Sequence, residues 1–155
     1  MQRHKMLRSL KLIHAVLISA ALAGGVLLYQ TFRPSGLPVA EISLGTCEME
    51  LEIAEGLEAI GKGLMFRESM PDDHGMFFVL PDGIEPSVWM KNTLIDLDVA
   101  FLDRTGRVTM AAPLTAGDLT PVKGPEGTAY LVETNRGVMK RCGFQVGSRL
   151  DLPVS

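Results

Sequence analysis

The chain has 155 residues, the size of one ordinary domain. Five of its 15 basic residues lie in the first 33, and all 18 acids lie beyond them. The remainder therefore carries ten cations against eighteen anions, a net charge of −8 that works against nucleic-acid binding, which needs a basic face.

Residues 1–11 contain Arg3, Lys5, Arg8 and Lys11, with His4 besides, and no acid. Residues 12–29 then contain no Asp, Glu, Lys or Arg. A basic start followed by an apolar run is an export signal. The run over 12–28, at ~1.5 Å per residue, approaches the ~30 Å hydrocarbon thickness and predicts an uncleaved anchor. Ala21-Leu22-Ala23 before Gly24 has instead the small-x-small form of a cleavage site. Residues 1–29 are thus a signal anchor or a signal peptide. The flanking cations keep the N-terminus in the cytoplasm and place the rest on the periplasmic side of the inner membrane.

Pro34, Gly36 and Pro38 stop any helix, so 30–38 is a linker and 39–155 a single folded domain. Residues 48–53 alternate acid and apolar, which predicts a half-buried strand with its acids in water. Residues 55–63 predict a short helix with Leu57, Ile60 and Leu64 on one face and Gly63 as its stop. Residues 76–80 and 88–92 predict strands. Residues 95–111 predict a hairpin that turns at Asp103-Arg104-Thr105-Gly106. A Pro- and Gly-rich loop follows over 112–127, then a strand over 128–133. Next come a short helix over 136–142, capped by Asn135 and ended by Gly143, and a last strand over 149–152. This pattern predicts a mainly β fold, a compact β-sandwich or barrel with one or two short helices.

Cys47 and Cys142 both fall in the exported part, where a disulfide is permitted. They form either a bridge or two separate buried thiols, because spacing alone does not supply the geometry.

Four linked motifs carry a resemblance. They are Gly63-Leu64-Met65-Phe66-Arg67, Gly75-Met76-Phe77-Phe78, Trp89-Met90-Lys91-Asn92-Thr93 and Ile95-x-Leu97-Asp98. In this order and spacing, over about residues 45–152, the chain resembles the domain-of-unknown-function 192 family. Gly143-Phe144-Gln145-Val146-Gly147 is similar to that family's closing turn. The resemblance implies a small β-sandwich or barrel domain, often exported in bacteria, without an agreed activity. Asp96 departs from the family's usual proline, and Lys62 from its common arginine.

The candidate ligand-binding residues are Arg67, Trp89, Lys91, Asn92, Thr93 and Asp98. On a strand, Trp89, Lys91 and Thr93 share one side, opposite Val88, Met90 and Asn92. A tryptophan plate beside a lysine can stack on a sugar or hold an anion; alternatively Trp89 fills the core under the Lys91 stem. Asn92 and Thr93 can make turn bonds. Arg67 can clamp a ligand carboxylate bidentately, or brace the fold by pairing with Asp98. Asp96 and Asp98 share a face, which is either a carboxylate pair or the wet side of a sheet.

His74 is the one histidine beyond residue 33, and no zinc spacing accompanies it, so no metal and no cofactor are expected. The methionines suit adaptable core packing better than copper. No Gly-x-Ser-x-Gly elbow, phosphate loop or His-Glu-x-x-His is present. The leading expectation is a membrane-tethered, non-catalytic binding module for a saccharide or small carboxylated envelope ligand. One alternative is an envelope-acting enzyme using Asp98 with Lys91 or Arg67. The other is an assembly partner for an envelope protein. The inner membrane is contacted through residues 12–29, and no nucleic acid is bound.

Overall fold

A computed structural model describes residues 35–153. The basic start and the apolar run over 12–29 lie outside the described residues. Among those described, no helix is long and apolar enough to cross a membrane.

The alternating residues after Pro38 make β1 (Val39–Leu44) and β2 (Cys47–Glu55), an antiparallel pair in register from Val39 opposite Glu52 to Leu44 opposite Cys47. Their turn needs Gly45. Its φ is 62°, and a Cβ there would stand 2.1 Å from the Cys142 carbonyl oxygen. Helix α1 (Gly56–Lys62) follows and stops at Gly63, whose N–H donates to the Ala59 carbonyl. The expected apolar face of this helix is not formed. No residue within α1 is buried, Leu57 is 70 % exposed, and only Leu64 beyond its end enters the core.

Helix α1 lies in a crossover, so β3 (His74–Val79) runs parallel to β2. Parallel neighbours cannot be joined by a tight turn, and a helix-bearing connection is the usual solution. β4 (Ser87–Val88) and β7 (Val122–Lys123) form a separate two-stranded ribbon. β5 (Leu97–Asp103) and β6 (Val108–Leu114) are the expected hairpin. Asp103 Oδ1 accepts the N–H groups of Thr105 (2.8 Å) and Arg107 (3.1 Å), which fixes the turn. β8 (Thr128–Asn135) enters between β3 and β5, antiparallel to both.

The main sheet has the order β1-β2-β3-β8-β5-β6. The chain is therefore mainly β with two short helices, as expected. Its strands form one open mixed sheet and a small ribbon, with β1 and β6 as the edges of the large sheet. Arg149 makes an isolated bridge to Arg107 in place of the expected last strand.

One face of the sheet carries Leu51, Ile53, Phe77, Val132, Ala100 and Leu102. It packs on helix α2 (Val138–Arg141) and on Cys142, Phe144 and Leu150. Cys47 and Cys142 are joined by a disulfide, with a Cα–Cα distance of 5.3 Å. Helix α2 starts after Gly137 rather than at Asn135. Asn135 ends β8, and its Nδ2 donates to the Met70 carbonyl at 2.6 Å. The second face of the sheet is covered by the loop after α1 and by the segment that follows β4.

Candidate functional site

Position parity along the strands sets the second face. Glu52 of β2 lies opposite Met76 of β3, Met76 opposite Glu133 of β8, and Glu133 opposite Val99 of β5. Directly paired residues point to the same side of a sheet, so Glu52 and Glu133 share a face.

Glu52 was expected to face water with Glu48 and Glu50, but it is only 3 % exposed. Its Oε1 lies 2.7 Å from Nη1 of Arg67, itself 8 % exposed. Ser35 donates to Glu52 Oε2 through its N–H at 3.2 Å and also through its hydroxyl. Burial opposes ionisation of Glu52, but the Arg67 and Ser35 hydrogen bonds outweigh it and hold the carboxyl below its ordinary range. Arg67 thus braces the fold through Glu52, not through Asp98.

Glu133 is 6 % exposed and makes no hydrogen bond or ion pair with any described residue. Burial alone pushes its carboxyl up to about 7. It lies on the wall of a cavity of about 170 Å³. Its lining includes the buried Leu64, Phe78, Met90, Thr93 and Leu131 and the more exposed Lys62, Ile84, Glu85 and Trp89. The lining is apolar with a few polar groups, the usual composition of a small-ligand site.

The segment after β4 shapes the mouth. Val88 and Met90 are buried while Trp89 (48 % exposed) and Lys91 face outward, the alternation expected of 88–92, although the strand itself ends at Val88. The alternation then breaks. Asn92 adopts a left-handed φ of 56°, its carbonyl accepts the Phe66 N–H at 2.8 Å, and Thr93 turns inward to 5 % exposure. Asparagine tolerates this conformation better than most residues, so Asn92 has a structural role as a turn. The Met90 N–H donates to the Asp118 carbonyl at 2.9 Å, which ties the segment to the long loop before β7. Lys91 Nζ stands 5.2 Å from the Trp89 ring centroid, a cation–π arrangement.

The structure therefore brings Trp89, Thr93 and Glu133 to one cavity, with Lys91 on the outer Trp89 ring and Asn92 in the adjoining turn. It does not bring Asp98 there. Asp98 lies opposite Thr134, on the other face of the sheet, and its Oδ2 accepts the Gly137 N–H at 2.7 Å in front of α2. Asp96 falls before β5 and accepts the Ala116 N–H at 2.8 Å, so the two aspartates do not form a pair. No group of three or more potential metal ligands occurs among the described residues.

Sequence reading missed Glu133. Its one signal is an acid directly after the apolar run Ala129-Tyr130-Leu131-Val132. The residues around the end of α1 and the segment after β4 pack over this face of the sheet, so that acid has little water to face.

The match to the family model described as an uncharacterised ACR, domain of unknown function 192, spans residues 40–152. A solved structure from Novosphingobium aromaticivorans, a protein of unknown function, is 29% identical with a TM-score of 0.72. It covers 78% of this chain and 90% of its own. A second, from Sinorhizobium meliloti and described as a "putative transcription regulator", is 31% identical with a TM-score of 0.64, covering 67% of this chain and 81% of its own. None of the curated proteins matches. With the family model spanning nearly all of the β domain, the chain belongs to the domain-of-unknown-function 192 family.

Proposed function

We propose that this protein is an extracytoplasmic, membrane-tethered, non-catalytic binding module for a saccharide-sized ring. The observation that carries the reading is the buried Glu133, without a hydrogen-bond or ion-pair partner among the described residues, in an apolar cavity also lined by the half-exposed Trp89. A sugar ring can stack on an indole face while its hydroxyls donate to a buried carboxyl. A cavity of about 170 Å³ is small, which favours a single ring over an oligomer.

Of the two ligand types expected, the saccharide is favoured over a carboxylated compound. Arg67, the intended carboxylate clamp, is held by Glu52, and Glu133 itself repels an anion once ionised. The export reading draws support from the basic start, the apolar run over 12–29 and the Cys47–Cys142 disulfide, a bond that persists in oxidising compartments. The regulator description of the Sinorhizobium protein is not carried over, because a net −8 beyond residue 33 opposes DNA contact.

The test is a titration of the full-length protein in detergent with monosaccharides, followed by the emission of Trp89, the one tryptophan. Saturable quenching that disappears in a folded Trp89→Ala variant, with binding read by calorimetry, supports the module. No saturable response to any monosaccharide rejects it.

Glu133 also favours a second reading. A carboxyl raised to about 7 in a concave site suits general acid–base work at neutral pH, so the enzyme alternative moves from Asp98 to Glu133. Turnover of chromogenic glycosides that Glu133→Gln abolishes would replace the binding reading with this one.

A further inference from the structure

Resting on the ring-binding reading above, we infer that the ligand carries a protonated amine, and that the cavity seats this ammonium on the carboxylate of Glu133. Glu133 is buried, borders the cavity and makes no hydrogen bond or ion pair with any described residue. A carboxyl that faces a small, mostly apolar cavity with no donor beside it is poorly solvated, and a ligand that supplies the donor recovers free energy. An ammonium does so more strongly than a hydroxyl, because the bond is charge-assisted.

The described cations do not supply this partner. Arg67, on the same face of the sheet, sits 2.7 Å from Glu52 on the far side of Met76. Lys91 lies over the outer Trp89 ring. Lys62, at the end of α1, is exposed on the rim. Glu85, the other acid of the lining, is exposed and bound to Lys123 at 2.7 Å. From β3 and β5, Met76 and Val99 flank Glu133 and bring no charge. Among the described residues no cation pairs with Glu133, so the cavity can take a positive charge beside it.

Seating the ammonium ionises Glu133. Its proton leaves to solvent, while the ligand nitrogen keeps its own. The experiment is calorimetry on the full-length protein at about pH 6 in buffers of different ionisation enthalpy, with glucosamine and glucose as probes. These sugars differ only in carrying an ammonium or a hydroxyl at one carbon. Glucosamine is expected to bind about tenfold tighter and to release close to one proton, whereas glucose releases none. Glu133→Gln should remove both the preference and the proton release. Equal affinities without proton release overturn the amine assignment and leave ring binding standing. A preference that survives Glu133→Gln also overturns it. If neither sugar binds, the ring reading and the amine assignment fall together. The proton count in the unsubstituted protein decides the matter even if the variant fails to fold.

Discussion

Glu52 and Glu133 occupy one cross-strand row, one strand to either side of Met76, and differ in having a cation. Arg67 and Ser35 keep Glu52 charged in the interior, while Glu133 is driven toward its neutral form by burial alone. The same residue type on the same face thus takes opposite charge states, set by what stands within hydrogen-bond reach.

The first consequence is a pH-dependent stability. The folded value of Glu133, about 7, lies above its ordinary value of 4.5, so the folded state holds the proton that the unfolded state releases. Stability attributable to this group is whole below about pH 4.5, falls as pH rises, and levels off above about 7. The total loss is on the order of 3 kcal/mol. Urea unfolding of Glu133→Gln should match the unsubstituted protein near pH 4 and exceed it near pH 8. Parallel curves across that range would mean Glu133 is solvated.

Removing Arg67 should do the reverse. Arg67→Met leaves Glu52 buried with Ser35 as its remaining partner among the described residues, and loss of one partner of a buried pair costs about 3–5 kcal/mol. Replacing Glu52 by Met in the same protein should recover most of that loss. A double-mutant cycle by denaturant unfolding measures the coupling, and additive single effects would contradict a buried pair.

Adjacent residues at the cavity mouth should separate by burial. Met90→Ala empties a buried site and should cost about 2–5 kcal/mol. Trp89→Ala removes a half-exposed ring and should leave the melting transition nearly in place. Thermal melts of the two variants make the comparison. A Trp89 variant as unstable as the Met90 one would make the indole a core residue.

The disulfide should matter more than either. It joins cysteines 95 apart in sequence, and a loop of that length is worth about 5 kcal/mol by chain entropy. Paired Cys47→Ser and Cys142→Ser substitutions should lower the denaturation midpoint steeply, and reductant should do the same to the unsubstituted chain. Insensitivity to reductant would mean the thiols are not joined.

Most elements were legible because they depend on local pattern. The 95–111 hairpin, the stop at Gly63 and the strand over 128–133 follow from period-two alternation and turn residues. The parallel pairing of β2 and β3 was not legible, because antiparallel and parallel partners share the same local alternation. Glu52 misled for a related reason. It continues the acid rhythm of Glu48 and Glu50, and only a loop 15 residues later shows that it is roofed over by Arg67. The site was half legible. Trp89 and Lys91 announce themselves by chemistry, whereas Glu133 becomes distinctive only once distant segments cover its face of the sheet.

That placement of β8 also sets an order of assembly. Without it, the β1-β2-β3 group and the β5-β6 hairpin share no ladder, and each presents an open edge. A chain arrested before residue 128 can form both pieces but cannot join them, and two unpaired edges invite pairing with other chains. Since Glu133 rides on the strand that unites the halves, the pocket cannot exist ahead of the finished sheet. Occupancy of the cavity would therefore report completed folding, and a ligand would act on the final joining step rather than on the pieces that precede it.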